Sequence, residues 1–452
     1  MRTTILSPCG ILGYGFPEAS FHSALSQQPD AIVVDAGSTD AGPHKLGAGT
    51  AIVSRMACRK DLKLLMEGAR TLSIPLLIGS AGGSGAKKHV NWTLDIIDEL
   101  AREMDWHPKL AIIWADIPNE AILEAMARDK VTKMSPNVPD LTEESLAATT
   151  GVVAQMGAEP ILQAMQTGAQ IILCGRAYDP APFAAVGIAR GHDPALAYHL
   201  GKILECGALC AEPGTTKDCM LGMLDDTGFE VWPADESRAC TPVSVAAHTF
   251  YEKDHPYILK GPGITLDLER CRFTDLGHGR VRVEGSRLQR NPYTIKLEGA
   301  RLKAYRTFVL AGIRDPLLIG QLDEVEQEVR RQVRAYYAEI DPADYEINFY
   351  HYGLDGVMGA LEPDRTLPHE IGLMFEVLAG SQELANAICA TVRSSYLHFG
   401  YPGRKSTAGN LAFPFAPSDV PFGAVYLFSV YHLMQVDDPC GLFPIEVREV
   451  GL

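Results

Sequence analysis

Long hydrophobic runs are missing from this chain. The most apolar stretches, IPLLIG (74–79), LAIIWA (110–115) and IILCG (171–175), are each broken by Gly or Asp. None approaches the roughly 20 apolar residues that a membrane-crossing helix needs. Positive charge is also short: 40 Lys and Arg against 56 Asp and Glu give a formal charge of -16. That deficit argues against nucleic acid and anionic membrane surfaces as partners, since both demand a basic face. Met1-Arg2-Thr3-Thr4-Ile5-Leu6 runs straight into strand-like sequence without a basic segment and apolar core, so no signal peptide is expected. Ten cysteines scattered through apolar surroundings fit buried, reduced thiols, and a cytoplasmic location is expected.

Two nucleotide motifs are lacking as well. The turn Gly10-x-x-Gly13-x-Gly15 reverses the dinucleotide-binding order, which ranks a nicotinamide oxidoreductase last among the enzyme readings. Gly79-Ser80-Ala81-Gly82-Gly83-Ser84-Gly85 lacks the Gly-Lys-Ser/Thr ending of a phosphate loop.

What is present is strand–helix alternation. Thr3–Ser7, Ala31–Val34, Pro75–Ile78, Leu110–Trp114 and Ile171–Cys174 read as buried strands. Amphipathic stretches Lys60–Leu72, Trp92–Met104 and Glu143–Thr167 read as the helices between them. The fold expected is α/β, with a parallel doubly wound sheet in the N-terminal half and a mixed β and α+β C-terminal portion. The composition divides the chain into 1–213, an α/β domain carrying the site, a β-rich segment 214–320, and an α+β unit 321–452. Alternating RVRVE (280–284) and YTIKL (293–297) supply strands. A helix near 243–252, a charged helix from Leu322 and another over Ser381–Phe399 complete the pattern.

In a parallel sheet the ligand crevice lies at the carboxyl ends of the strands. Five such ends carry polar or glycine-rich sequence, among them DAGSTDAGP (35–43), the 79–85 loop and CGRAYDPAPF (174–183). Asp35 and Asp40 serve as helix-cap and turn residues or, with Ser38 and His44, as ligands for Mg²⁺ or another divalent cation. Gly82, Gly83 and Ser84 form either a flexible turn or an anion cradle. Arg176, just past an apolar strand, needs a partner, which Asp179 or a substrate carboxylate would supply. The period of two along YTIKLEG puts Lys296 and Glu298 on one strand face, as an ion pair or as a substrate anchor and base. His351 ends an aromatic strand. Arg306, Arg314 and Arg404 sit in or near turn-rich loops. Cys206 and Cys210 lack the spacing of a zinc site.

At Gly175-Arg176-x-x-Asp179 and Glu205-Cys206-Gly207-Ala208 the pattern resembles the acyclic terpene utilisation (AtuA-like) family, as do DAGSTDAGP, TIKLEGA (294–300), AGIRDP (311–316) and PGRKSTAGNLAFPFAPSD (402–419). The resemblance covers nearly the whole chain. It implies breakdown of branched acyclic terpenes through acyl-CoA thioesters. Similar sequences carry glutamate mutase or methylaspartate ammonia-lyase labels and are accompanied by a small separate protein. The Asp-x-His-x-x-Gly cobalamin motif is absent from this sequence.

The leading expectation is a lyase or hydratase acting on a small polycarboxylate or acyl-CoA. Arg176, with Arg306, Arg314 or Arg404, anchors the anion, and Asp179, Ser38 and the 82–84 loop line its site. Asp35 and Asp40 stabilise the developing charge, directly or through the cation, and Lys296 beside Glu298, or His351, moves the proton. A homo-oligomer is expected. The alternative is a non-catalytic acyl-CoA- or carboxylate-binding subunit that needs a small partner protein.

Overall fold

The computed structural model describes residues 2–39, 42–405 and 409–452. The chain divides into two compact units, one formed by 1–301 with 428–452 and the other by 302–427.

In the first unit, seven strands precede residue 175: β1 (Thr3–Ser7), β2 (Ala31–Asp35), β3 (Leu76–Gly79), β4 (Lys109–Ile113), β5 (Val131–Lys133), β6 (Val152–Ala154) and β7 (Ile171–Cys174). Five of them pair in parallel in the order β1-β2-β3-β7-β4, with Asp35 opposite Gly79 and Ile113 opposite Cys174. Their side chains alternate between two apolar layers. Leu6, Ile32 and Val34 pack against Leu62, Leu65 and Ile97 from helices Arg55–Leu72 and Lys87–Glu103. Ile5, Val33 and Leu77 face Phe183 and Leu200 from helices Ala181–Ala189 and Pro194–Leu204. Burial on both faces explains why these strands read as continuous apolar runs rather than alternating ones.

The sheet does not stop where the composition changes. Met220–Leu224 pairs antiparallel with β1, and Gly228–Pro233, Arg280–Glu284 and Arg272–Gly277 extend that side. Ile445–Glu449 pairs antiparallel with β4 at the other edge. The shift near residue 213 therefore marks a change in strand direction within one ten-stranded sheet.

One expected helix is not formed. Glu143–Thr167 splits into helices Glu143–Ala147 and Ala158–Gln166 around β6. The β-branched pair Thr149-Thr150 followed by Gly151 breaks the helix, and β6 pairs antiparallel with Leu297–Gly299. The strand expected at Tyr293–Leu297 belongs to a much longer one, Thr294–Ile313.

In the second unit, Tyr345–Tyr352 pairs antiparallel with Ile371–Ala379, which pairs in turn with 305–313. Helices Leu322–Tyr336 and Gln382–His398 bury Val325, Val329, Ile388 and Val392 against Val309, Leu373 and Phe375. Among the described residues, no helix is long and apolar enough to cross a membrane. All ten cysteines are free, and seven are buried.

Candidate functional site

Three strand-to-helix loops, following β2, β3 and β7, meet at the carboxyl edge of the parallel strands, and glycine lets them meet. A Cβ placed on Gly37 would lie 1.7 Å from the Gly83 carbonyl oxygen. One placed on Gly85, which has φ +63°, would lie 2.0 Å from the Arg176 backbone nitrogen. The Gly83 and Gly85 N–H groups donate to Ser80 and Ala81 carbonyls at 3.1 and 3.2 Å, and Ser84 Oγ lies 2.5 Å from His89 Nδ1. Those two N–H groups close the turn internally instead of facing an anion. Ser38 is half-buried in the loop after β2.

Arg176, 2% exposed, stands at the centre. Its Nε donates to Glu298 Oε2 at 2.9 Å, and its Nη1 donates to Asp179 Oδ1 at 2.9 Å and to Ser80 Oγ at 3.0 Å. The bridge to Asp179 expected from the sequence is formed, and Glu298 is a second partner. Glu298 is fully buried and accepts at Oε1 from Thr39 Oγ1 (3.0 Å) and Gln155 Nε2 (3.3 Å). The Lys296 ammonium lies 3.0 Å from the same oxygen and donates to the Tyr431 hydroxyl at 2.8 Å. Burial would raise the Glu298 carboxyl, but Arg176 and Lys296 outweigh it and hold the group below its ordinary value. Burial would likewise lower Lys296, yet Glu298 and Tyr431 keep it above its usual value. Lys296 is thus held in its charged form, which suits an anchor for an anion better than a neutral base.

Three other carboxyl groups have the opposite tendency. Burial, then the charge of Asp179, pushes Asp35 at the end of β2 well above the usual carboxylate range, against Arg176. The Asp179 side chain is 35% exposed. Enclosure by the loops still raises it, with Arg176 opposing. Glu205, which follows the buried helix Pro194–Leu204, is pushed up to about 7 by burial, although Lys202 lies 2.6 Å from its Oε1. The other oxygen, Oε2, is buried without a hydrogen-bond partner among the described residues, and so is the Tyr178 hydroxyl. After burial, the charge of Glu205 is the largest influence raising the Tyr178 phenol.

Glu205, Lys202, Tyr178, Thr39 and Gln155 had not been read as site residues. A Lys and a Glu three apart look like a surface pair. The available signal was their setting in an otherwise apolar helix, PALAYHLGKIL, which leads into Glu205. Cys206 lies 3.0 Å from the Tyr251 hydroxyl; burial and then Glu205 push its thiol up to about 12, which removes it as a nucleophile.

Asp40 lies outside the described residues. His351, Arg306, Arg314 and Arg404 belong to the 302–427 unit. There His351 Nε2 lies 2.6 Å from Glu326 and its Nδ1 3.0 Å from Asp355. Arg306 pairs with Glu376 at 2.5 Å, Arg314 donates to the His369 carbonyl, and Arg404 donates to that of His398. Each has a local partner, and none is among the groups bonded to Arg176. Among the described residues, no three His, Cys, Asp or Glu side chains are grouped to hold a metal ion.

No curated protein and no solved structure matches the chain. The profile of the acyclic terpene utilisation family protein AtuA does match, over residues 73–416, which include Arg176, Asp179, Glu205, Lys296 and Glu298. That match spans well over half of the 452 residues, and the chain belongs to the acyclic terpene utilisation (AtuA) family.

Proposed function

We propose that this protein is a proton-transfer enzyme of the lyase or hydratase type, acting on a small carboxylate or thioester. The observation that carries the reading is the gathering of Asp35 and Asp179 at one buried guanidinium, with Glu205, paired to Lys202, near enough to sense the charge of Asp179, and all three carboxyl groups raised above their usual values. They lie at the edge of a parallel sheet where ligand crevices form. An acid–base group works best when its proton affinity matches the operating pH, and Glu205 at about 7 meets that condition. Its unpartnered Oε2 leaves one oxygen for proton exchange. Arg176 and Lys296, both held charged, supply the positive field that an enolate-like intermediate requires.

The test is hydrogen exchange. Purified protein in deuterated buffer is incubated with small hydroxyacids and enoyl thioesters, and C–H replacement beside the carbonyl is followed by NMR. Exchange is expected with an inflection near pH 7. Glu205→Gln should abolish it, with the thermal midpoint of the variant confirming that it folds. No exchange on any candidate by the wild-type protein would sink the proposal.

A further inference from the structure

A pocket of about 260 Å³ opens within the first unit, with Tyr178 and Lys296 in its wall and Lys260 at its exposed side. It falls just below the range typical of sites for drug-sized ligands, roughly 300–1,000 Å³. Among the described residues no acidic side chain lines it, although the protein carries a formal charge of -16. Both charged residues in the lining are lysines.

Two cations share one carboxylate beside it. Glu298 neutralises only one charge, yet both Arg176 and Lys296 bind it. Asp179, the other carboxyl on Arg176, is pushed toward its protonated form. Lys296, one of the two cations on Glu298, faces the pocket, and Asp179 is the second ion-pair partner of Arg176. Lys260 has no ion-pair partner among the described residues, while Met134, Pro262, Ile264 and Leu433 make the remaining wall apolar. One face thus attracts an anion and another favours hydrocarbon.

The ring of Tyr178 links this pocket to the acidic cluster. It packs on the strand Ile258–Gly261, where a Cβ on Gly261 would lie 2.6 Å from its Cε1. Its hydroxyl is buried without a partner and feels the charges of Glu205 and Asp179.

From this arrangement we infer that the pocket binds a free short-chain carboxylic acid, its carboxylate held by Lys260 and Lys296 and its apolar chain along Met134, Pro262 and Leu433. The inference rests on the proton-transfer reading and narrows its substrate to the free acid. A coenzyme A thioester is neutral at the acyl carbonyl and far larger than the pocket.

Calorimetric titration of the full chain with butanoate, hexanoate and succinate, with butanamide and hexanamide, and with the matching acyl-CoA thioesters tests it. Hexanoate should bind more tightly than hexanamide by about tenfold, and Lys260→Gln should remove much of that preference. Leu433→Phe should weaken hexanoate more than butanoate, with the thermal midpoint reporting on folding. Amides binding as tightly as acids, or thioesters binding more tightly than either, would overturn the assignment. Carboxylate-selective binding without C–H exchange would defeat the proton-transfer reading and keep the pocket. Exchange on thioesters alone would defeat the pocket and keep the proton transfer.

Discussion

Thr39 and Glu298, 259 positions apart, share a 3.0 Å hydrogen bond. It ties the loop after β2 to the strand Thr294–Ile313, and Arg176 and Lys296 close on the same carboxylate. Four donors around one fully buried carboxylate favour its ionised form. Glu298 holds the two cations in its ionised form, while Asp179, the other carboxyl on Arg176, is raised above its ordinary value. On the proton-transfer reading proposed above, carboxylates of opposite proton affinity would keep a fixed charge and a movable proton side by side.

Removing that fixed charge should be costly. Glu298→Gln leaves the ammonium of Lys296 without its carboxylate and the guanidinium of Arg176 with Asp179 alone, and breaking a buried pair costs about 3–5 kcal/mol. The carboxyl sits below its ordinary 4.5 when folded. Its contribution is therefore complete above that value and is lost as pH falls through the lowered one. Urea unfolding of wild type and variant should differ strongly at neutral pH and converge in acid. Equal midpoints at neutral pH would show that the hub adds nothing to stability.

The loop contact makes a separate prediction. In Gly37→Ala the new methyl would meet the Gly83 carbonyl oxygen, which belongs to backbone and has no rotamer to escape into. Overpacking of this kind costs about 1–3 kcal/mol or more. Gly151→Ala is the matched control, since its Cβ meets nothing within 4 Å, and it should stay within about 0.5 kcal/mol. Calorimetric melting decides between them: a Gly37→Ala protein as stable as the control would mean that the two loops part easily.

The parallel strands were legible because their signal is local. The bounds of β1 and β7 coincide with the apolar runs in the sequence, and β2, β3 and β4 shift by one residue. Arg176 was legible for the same reason, as a cation directly after such a run. Its pairing with Glu298 was not, since 122 positions separate them and no periodicity records that contact. Lys202 and Glu205 were hidden differently. Three-residue spacing on a helix is what solvent-exposed pairs also use. Only burial of all of Ala195–Leu204 turns this one inward. Glu143–Thr167 failed because helical spacing persists across Thr149–Gly151 although the chain there enters β6, whose partner lies near residue 298.

His351 gives the second unit a pH response that can be worked out from its neighbours. Burial would lower its proton affinity, but the acceptors Glu326 at 2.6 Å and Asp355 at 3.0 Å outweigh burial and raise it above the ordinary 6.5. A group whose folded value is raised stabilises fully below its unfolded value and loses that contribution as pH climbs through the folded one. Glu326, raised above 4.5 mainly by burial, acts in the same direction, and Arg330 and Asp323 alter its shift without reversing it. Arg365, 3.6 Å from Asp355, stays charged throughout. The unit should therefore weaken as pH rises above 6.5, most visibly in the strand Ile371–Ala379, which pairs His351 with Leu373. Amide exchange of that strand, corrected for intrinsic rates, should show greater protection at about pH 6 than at about pH 8. The difference should shrink in His351→Gln, which cannot take up the proton. Protection that is equal at both pH values in the wild-type protein would mean that the bridge carries no net stabilisation, leaving His351 a neutral packing residue between two acids.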